Sequence, residues 1–317
     1  MDGAFRKPLL SGYSLGPHPL RNRLVLSLGA VELAGGSGTD AQPDAKSIAE
    51  KAGAGLLIVE FDVPQCEDGF AGHQHRERSV FLRRLVDSVH LAGARVFFSL
   101  TRVEGLRCEN ETRRRRATGR LAPNPSRLGV AEIATLVERY ANATRQAMTA
   151  GFDGVELNAS NGCLPTLFLC SESNRREDRY GGSLCRRARF VLEVLEAMMH
   201  ETDGQRVGIR VSPVLRGDDV RDCDPAATHI YLARAALGFG LAYLHVQSAE
   251  TVAQNEVGND AVALMRTHFR GTLIAGGYQC LEDAARVITE GKADLVGFRN
   301  PAIPGALRQD SPLSLLA

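Results

Sequence analysis

Residues 151–183 read GFDGVELNASNGCLPTLFLCSESNRREDRYGGS and carry the clearest structural pattern in the chain. The segment opens on the end of a helical pattern, and DGVELN (153–158) is then an apolar run of the length of a buried strand. A polar loop follows, holding Asn158, Asn161 and Cys163. The segment therefore predicts a strand between two helices, with two amides and a thiol where the strand ends.

Apolar runs of this kind recur along the whole chain, each separated from the next by a helical pattern. Continuous apolar runs fit strands buried on both faces, and strands that alternate with helices form right-handed βαβ units in a parallel sheet. Eight such units predict an α/β fold, the (β/α)8 TIM barrel. The runs are RLVLSL (23–28), AGLLIVE (54–60), ARVFFSL (94–100), DGVELN (153–158), RVGIRVS (206–212), LAYLHV (241–246), GTLIAGG (271–277) and ADLVGF (293–298).

The intervening segments have helical periodicity, and several end at a glycine, as helix C-caps do. No linker or change of composition divides the chain, so residues 1–317 are predicted to form a single domain. The longest excursion, 101–129, is predicted to be the loop after the third strand. Helices are predicted at 44–51, 80–91, 130–150, 184–200, 225–237, 261–269 and 281–290.

Composition argues against several classes of partner. The 38 basic and 37 acidic residues nearly cancel, which gives no reason to expect nucleic acid or an anionic membrane as partner. No run of about 18 apolar residues occurs, so no membrane span is expected. The 7 cysteines are scattered without a CxxC pair, which argues against a disulfide framework and a zinc site. We expect a cytoplasmic protein in a reducing compartment.

Short motifs in almost every part of the chain match, in order, those of one known family. They are PLRNRLVLS, AGAGLLIVE, AGFDGVELN, SNRREDRYGGS with RRARFVLEVLEA, VGIRVSP, YLHV, AGGY and GKADLVGF. On these motifs the chain resembles the Old Yellow Enzyme family of FMN-dependent ene-reductases. The resemblance implies a TIM barrel with FMN lying across the C-terminal ends of its strands.

Several positions that touch the flavin in this family differ here. By the resemblance, Leu28 and Ala30 replace a proline and a hydrogen-bonding residue after the first strand. Phe61 stands where the family has alanine or glycine, so its ring would occupy the space of the isoalloxazine. Ser99 replaces a glutamine that holds the pyrimidine edge, and Thr101 replaces an aromatic residue.

Other positions of the family site are partly kept. The resemblance places Asn158 and Asn161 where two side chains polarise the substrate carbonyl, and Cys163 where a tyrosine donates a proton. Arg210 matches an arginine that contacts the flavin.

The phosphate pocket of the family is altered as well. Gly276 and Gly277 are kept, but VGFRNPAIP lacks the glycine before Arg299 and several residues after it. Loss of two or three anchors at roughly 1–3 kcal/mol each weakens binding by orders of magnitude, so the sequence predicts a barrel without a cofactor.

The main functional prediction is a redox-neutral step on a carbonyl-bearing small molecule: isomerisation, epimerisation or cyclisation, as in natural-product biosynthesis. Asn158 and Asn161 would donate to the carbonyl and Arg210 would stabilise enolate charge. Cys163, His245 or Asp62 would move the proton. No metal site is predicted. The remaining pocket residues are predicted to be Ala30, Phe61, Ser99, Thr101, Arg102 and Tyr278.

Two other functions stay open. One is an FMN-dependent ene-reductase that uses NADPH, with Arg210, Gly276, Gly277 and Arg299 holding the cofactor. The other is a catalytically inactive barrel that binds a partner. The residues have structural alternatives too: Asn158 can cap its loop, Cys163 can be packing, and Arg210 can pair with a barrel carboxylate such as Glu156 or Glu60. The segment with Asn174, Arg176, Asp178 and Tyr180 is predicted to be structural. The sequence makes no prediction of oligomeric state.

Overall fold

Eight parallel strands close into a barrel in the computed structural model of the chain. The strands follow one another around the barrel in chain order, and the last pairs with the first. This architecture confirms the predicted TIM barrel. The structure describes residues 6–28, 53–63, 73–103, 124–160, 162–213, 222–247, 256–278 and 280–299.

The barrel strands lie where the apolar runs predict them, with ends that differ by a few residues. The second and third barrel strands continue past the predicted 60 and 100, to Val63 and Val103. Their added residues carry the chain further toward the open end of the barrel. The barrel strands are β3 (Leu24–Leu28), β4 (Leu56–Val63), β5 (Arg95–Val103), β6 (Gly154–Ala159), β7 (Val207–Val211), β8 (Tyr243–Gln247), β9 (Leu273–Gly276) and β10 (Leu295–Phe298).

Helices cover the outside of the barrel. The prediction for 130–150 matches the observed helix, whereas the helix predicted from residue 80 begins at His73. The predicted helix 44–51 and most of the predicted loop 101–129 lie outside the described residues. The helices are α1 (Arg6–Leu10), α2 (His73–Leu91), α3 (Val130–Ala150), α4 (Leu164–Leu169), α5 (Leu184–Glu201), α6 (Pro225–Gly238), α7 (Glu256–His268) and α8 (Leu281–Thr289).

A small antiparallel hairpin closes the N-terminal end of the barrel. Its strands are β1 (Tyr13–Leu15) and β2 (His18–Leu20), and Leu15 and Leu20 join the apolar cluster inside the barrel. This hairpin was not predicted from the sequence, because strands of three residues leave too short a pattern to detect. The barrel is therefore closed at one end, and the other end holds the candidate site.

The inside of the barrel is filled by alternating large and small residues. Rings of Phe97 and Tyr243 lie with centroids 5.4 Å apart, and each faces a glycine on a neighbouring strand. A Cβ at Gly154 would come within 2.5 Å of the Phe97 ring, and one at Gly208 within 2.4 Å of the Tyr243 ring. Because real Cβ contacts are longer, these glycines make room for the rings and complete a packed barrel floor.

The loop before α5 is held by its own side chains. Asn174 Nδ2 donates to the carbonyl oxygens of Phe168 and Tyr180, each at 2.7 Å. Arg176 forms an ion pair with Asp178 at 2.5 Å. These bonds fix the approach of the chain to α5 and agree with the structural role predicted for this segment.

Candidate active site

A layer of charged residues crosses the barrel just above its apolar floor. Arg210 on β7 is fully buried and lies at the centre of this layer. Its Nη1 is 2.5 Å from Glu60 Oε1, and its Nε is 2.9 Å from Glu156 Oε1. A buried guanidinium is tolerated only when paired, and two carboxylates supply the pairing here. The predicted alternative that Arg210 pairs with a barrel carboxylate thus describes the observed contacts.

Glu156 is the most heavily bonded carboxylate of the layer. Ser99 Oγ donates to its Oε1 at 2.7 Å, and Tyr243 Oη donates to its Oε2 at 3.2 Å. Burial alone would raise the pKa of Glu156, but the charge of Arg210 and the contact with His245 outweigh burial and lower the pKa to about 2. The carboxylate is therefore ionised at neutral pH. The hydroxyl of Ser99 is therefore used in a hydrogen bond to this carboxylate inside the barrel.

His245 on β8 completes the charged layer as a neutral imidazole. Its Nδ1 lies 2.9 Å from Glu156 Oε2, so the ionised carboxylate fixes the proton on Nδ1. Burial lowers the pKa of His245, although Glu156 acts in the opposite direction. Its Nε2 has no hydrogen-bond partner among the described residues and faces Gly276, where a Cβ would be only 2.5 Å away. Glu156 thus holds the ring through Nδ1, and the absence of a side chain at Gly276 leaves room for Nε2.

Arg299 brings a second guanidinium to the same layer from the end of β10. Its Nη2 is 3.6 Å from Glu60 Oε1, the oxygen that also pairs with Arg210. Burial alone would raise the pKa of Glu60, but the charges of Arg210 and Arg299 lower it below its ordinary value. The negative charges of Glu60 and Glu156 therefore balance the positive charges of Arg210 and Arg299 inside the barrel.

Two residues further along the strands, at the open end of the barrel, the inward-facing side chains form a polar layer. It is here called the mouth layer. Strand residues two positions apart face the same side, so each member stands directly above a residue of the lower layers. The members are buried and carry amides and hydroxyls without charge. They are Thr101, Asn158, Ser212 and Gln247.

Asn158 has the best-defined orientation in the mouth layer. The backbone N–H and the hydroxyl of Ser160 both lie near its Oδ1, at 3.1 and 2.6 Å. Since a backbone N–H can only donate, the atom facing it must be the amide oxygen. Nδ2 is thereby turned toward Thr101, where it makes a long contact of 3.4 Å with Oγ1. Capping the loop and presenting an amide donor to the mouth are thus compatible roles.

The chain after β9 adds backbone donors at the same end. Gly277 has a φ of +97°, a conformation that favours glycine. The N–H groups of Gly277 and Tyr278 both donate to the carbonyl oxygen of Gly297, at 3.1 and 3.3 Å. Tyr278 itself is buried, and burial raises the pKa of its hydroxyl.

The predicted site residues thus fall into three groups. Ser99, Thr101, Asn158, Arg210, His245, Gly276, Gly277, Tyr278 and Arg299 come together in or beside the two polar layers. Ala30 and Asn161 lie outside the described residues, as do the side chains of Phe61, Asp62 and Arg102. The backbone of Phe61 lies at a register shift near the end of β4. Cys163 forms the third group.

Cys163 is buried at the start of α4 and lies near α3. It precedes α4 at the N-cap position. Its thiol is close enough to Tyr140 on α3 to help raise the pKa of that hydroxyl, after the larger effect of burial. The role of Cys163 in proton transfer stays a prediction.

Two features of the site were not predicted from the sequence: the contact of Tyr243 with Glu156, and the way in which Glu60 connects Arg210 with Arg299. The signal was present as polar residues at alternate positions of otherwise apolar strands, as in VELN and GIRVS. Within the described ranges, no group of three or more histidines, cysteines or acidic residues could bind a metal ion. No helix in the part of the chain that the structure describes is long and apolar enough to cross a bilayer.

Comparison with known proteins gives a consistent result over nearly the full length. Residues 13–306 match the NADH:flavin oxidoreductase / NADH oxidase family. A putative 12-oxophytodienoate reductase 11 of Oryza sativa subsp. japonica is 32% identical over 340 residues, covering 97% of this chain and 92% of the relative. A probable flavin mononucleotide-dependent alkene reductase of Leishmania infantum is 31% identical over 326 residues, covering 94% and 87%.

Solved structures agree with the sequence matches. Morphinone reductase in complex with tetrahydroNAD superposes with a TM-score of 0.75 at 30% identity, covering 95% of this chain and 90% of the other. The same fold and a related sequence thus occur in a protein that binds a nicotinamide analogue.

These matches overturn one prediction. The expected barrel without a cofactor is wrong, because the matched family consists of flavin oxidoreductases and one relative is named as FMN-dependent. The error was to count altered contacts one at a time, whereas the charged layer with Arg210 and the donors beside Arg299 are in place. The chain belongs to the NADH:flavin oxidoreductase / NADH oxidase family, the Old Yellow Enzyme family that its motifs predict.

Proposed function

We propose that the chain is an FMN-dependent ene-reductase, which uses NADPH to reduce the carbon–carbon double bond of a small α,β-unsaturated carbonyl compound. The observation that carries the proposal is the oriented amide of Asn158 at the mouth of a barrel from this family. The relatives support the substrate class, since they include an alkene reductase and 12-oxophytodienoate reductases. This was the alternative function in the sequence analysis, and it replaces the redox-neutral one.

The residues present at the mouth fit FMN. Loops after the seventh and eighth strands of such barrels frequently bind phosphate, and here they hold Arg299 and the N–H groups of Gly277 and Tyr278. The buried guanidinium of Arg210 would face the polar edge of the flavin ring. A Cβ at Gly297 would be 3.1 Å from Gly276 Cα, so the paired backbones of β9 and β10 approach too closely there for a larger residue. Bound FMN supplies the hydride transfer that side chains cannot perform.

Asn158 would act on the substrate carbonyl. An amide N–H that donates to the carbonyl oxygen draws charge from the conjugated double bond and stabilises the negative charge that develops on oxygen. Because Ser160 holds Oδ1, the donor is already oriented before substrate binds and little reorganisation is needed. The long contact of Nδ2 with Thr101 is easily exchanged for a shorter one to substrate.

The proton that completes the reduction is assigned to Cys163 as a prediction. Cys163 lies in the short segment between β6, the strand that carries Asn158, and α4, and it is buried. Replacement of the donor leaves water as a substitute, so we expect Cys163→Ala to lower turnover by about tenfold, less than the full value of a general acid. An unchanged rate, with unchanged solvent isotope effect, would assign the proton to water.

The proposal is tested by reconstituting the protein with FMN and supplying NADPH and 2-cyclohexen-1-one under anaerobic conditions. We expect enone-dependent oxidation of NADPH and formation of the saturated ketone. Recovery of unreacted enone from protein that has bound FMN and been reduced by NADPH would contradict the substrate class. Enone rearrangement without NADPH oxidation would contradict the reaction type.

A further inference from the structure

Arg299 and the N–H groups of Gly277 and Tyr278, which would hold the phosphate of FMN, already contact acceptors of the protein itself. Arg299 is half-buried and its Nη2 lies 3.6 Å from Glu60 Oε1, so its charge is directed into the barrel. The N–H groups of Gly277 and Tyr278 share the carbonyl oxygen of Gly297 at 3.1 and 3.3 Å. A phosphate must therefore compete with a carboxylate for the cation and with a carbonyl for the amides.

The two internal acceptors are unequal competitors. The two amides share one neutral carbonyl oxygen, at 3.1 and 3.3 Å, so each contact is weaker than a charge-assisted bond to a phosphate would be. Glu60, in contrast to the carbonyl of Gly297, carries a full negative charge, because the charges of Arg210 and Arg299 keep its pKa below the ordinary value. It both holds Arg299 and repels a phosphate that approaches the same guanidinium.

Glu60 cannot simply turn away from Arg299. Its Oε1 also pairs with the fully buried Arg210 at 2.5 Å, and that guanidinium is tied in turn to Glu156 at 2.9 Å. A rotation that released Arg299 would also break the pair with Arg210. The position of Glu60 is therefore set by its pair with Arg210 inside the barrel.

We propose that Glu60 determines how strongly this site prefers a phosphorylated over an unphosphorylated flavin, by holding Arg299 away from the phosphate. The inference rests on the proposed function, because it concerns the same flavin site. Its consequence is that FMN gains less over riboflavin from Arg299 than the charge of that residue would allow.

The test compares dissociation constants of FMN and riboflavin, measured by quenching of flavin fluorescence. The variants are Glu60→Gln, Arg299→Gln and the double variant, in the full chain. Glu201→Gln is the matched control, since it removes one negative charge from an exposed ion pair with Arg145. The quantity of interest is the riboflavin-to-FMN ratio of dissociation constants, because any general disturbance of the ring site affects both ligands.

We expect Glu60→Gln to raise this ratio about tenfold, as a charge-assisted contact between Arg299 and phosphate becomes available. The double variant should lose that gain, and Glu201→Gln should leave the ratio within about twofold of the wild type. A ratio that is unchanged or lowered in Glu60→Gln would overturn the inference while leaving the proposed function intact. Failure of the wild type and all variants to bind either flavin would overturn both.

Arg299→Gln in the wild-type background decides the matter if Glu60→Gln does not fold. Because Glu60 already engages Arg299, loss of the Arg299 guanidinium should weaken FMN binding by less than about threefold and leave riboflavin binding unchanged. A loss of FMN affinity of about tenfold or more, with riboflavin unaffected, would show that Arg299 serves the phosphate fully and would overturn the inference.

Discussion

The charged layer and the mouth layer overlap on β6 and β8, where their residues stand two positions apart, yet they differ in how their polar groups are satisfied. On β6, Glu156 receives contacts from Arg210, Ser99, Tyr243 and His245. Asn158 lies two residues further along β6. Its amide oxygen accepts a hydrogen bond from Ser160, and among the described residues its amide nitrogen makes one long contact, with Thr101.

Burial and polarity alone therefore do not identify a reacting group. A saturated carboxylate such as Glu156 supports the barrel and sets the field inside it, whereas an oriented donor such as Asn158 can exchange its contact for one with substrate. We therefore expect changes in the charged layer to act on folding and changes in the mouth layer to act on turnover.

The largest effect is expected from removing the central cation. Arg210→Met leaves Glu60 and Glu156 as two buried carboxylates without their shared partner, which should cost about 3–5 kcal/mol in the free energy of unfolding. Urea denaturation followed by circular dichroism measures it. The matched control is Arg145→Met, whose exposed pair with Glu201 should contribute less than about 1 kcal/mol. Equal losses in both variants would erase the distinction between the layers.

A comparably large effect, on rate instead of folding, is expected in the mouth layer. Asn158→Ala removes the donor to the carbonyl and should lower kcat for enone reduction by roughly a hundred- to a thousandfold, about 3–4 kcal/mol in the transition state. Its unfolding free energy should fall by only about 1 kcal/mol, the value of the lost loop cap. A variant that folds poorly but reduces enones at the normal rate would show that Asn158 acts on folding and not on turnover.

A smaller effect is expected where the two layers meet the backbone. Gly276→Ala would place a Cβ 2.5 Å from His245 Nε2 and 3.0 Å from Gln247 Oε1, so the imidazole must shift. Overpacking of this kind costs about 1–3 kcal/mol in stability. Gly238→Ala is the control, because a Cβ there meets nothing within 4 Å. Thermal unfolding of the two variants should separate them, and equal midpoints would show that His245 is loosely held.

The smallest effect is expected from mild acidification. His245 is neutral in the folded barrel because burial lowers its pKa, whereas in the unfolded chain it titrates near about 6.5. Below that pH the unfolded chain takes up a proton that the folded barrel resists, so stability should fall as pH drops through 6. His245→Gln should show a shallower decline, the remainder coming from other buried histidines such as His229. Identical slopes would contradict a buried neutral His245.

Much of the fold follows from the sequence because each barrel strand is buried on both faces. That burial produces continuous apolar runs, and glycines such as Gly151, with a φ of +98°, mark helix ends. The short strands of the N-terminal hairpin and the six-residue α4 were missed, since segments of that length carry no periodicity.

The site was predictable only in part. Strand ends located Asn158, Arg210 and His245, but sequence order cannot say which polar groups satisfy one another. The contacts of Tyr243 with Glu156, and the sharing of one Glu60 oxygen by two arginines, depend on residues more than 80 positions apart. The cofactor prediction failed for the same reason: losses at single positions were visible, and the retained arrangement of donors was not.

A titration of the purified protein with FMN, followed by visible absorption, tests directly whether the barrel mouth binds a flavin. We expect a saturable perturbation of the flavin spectrum with one FMN per chain, reached at micromolar concentration or below. A wild-type protein that folds normally and leaves the FMN spectrum unchanged at all concentrations would contradict the assignment of the barrel mouth as a flavin site.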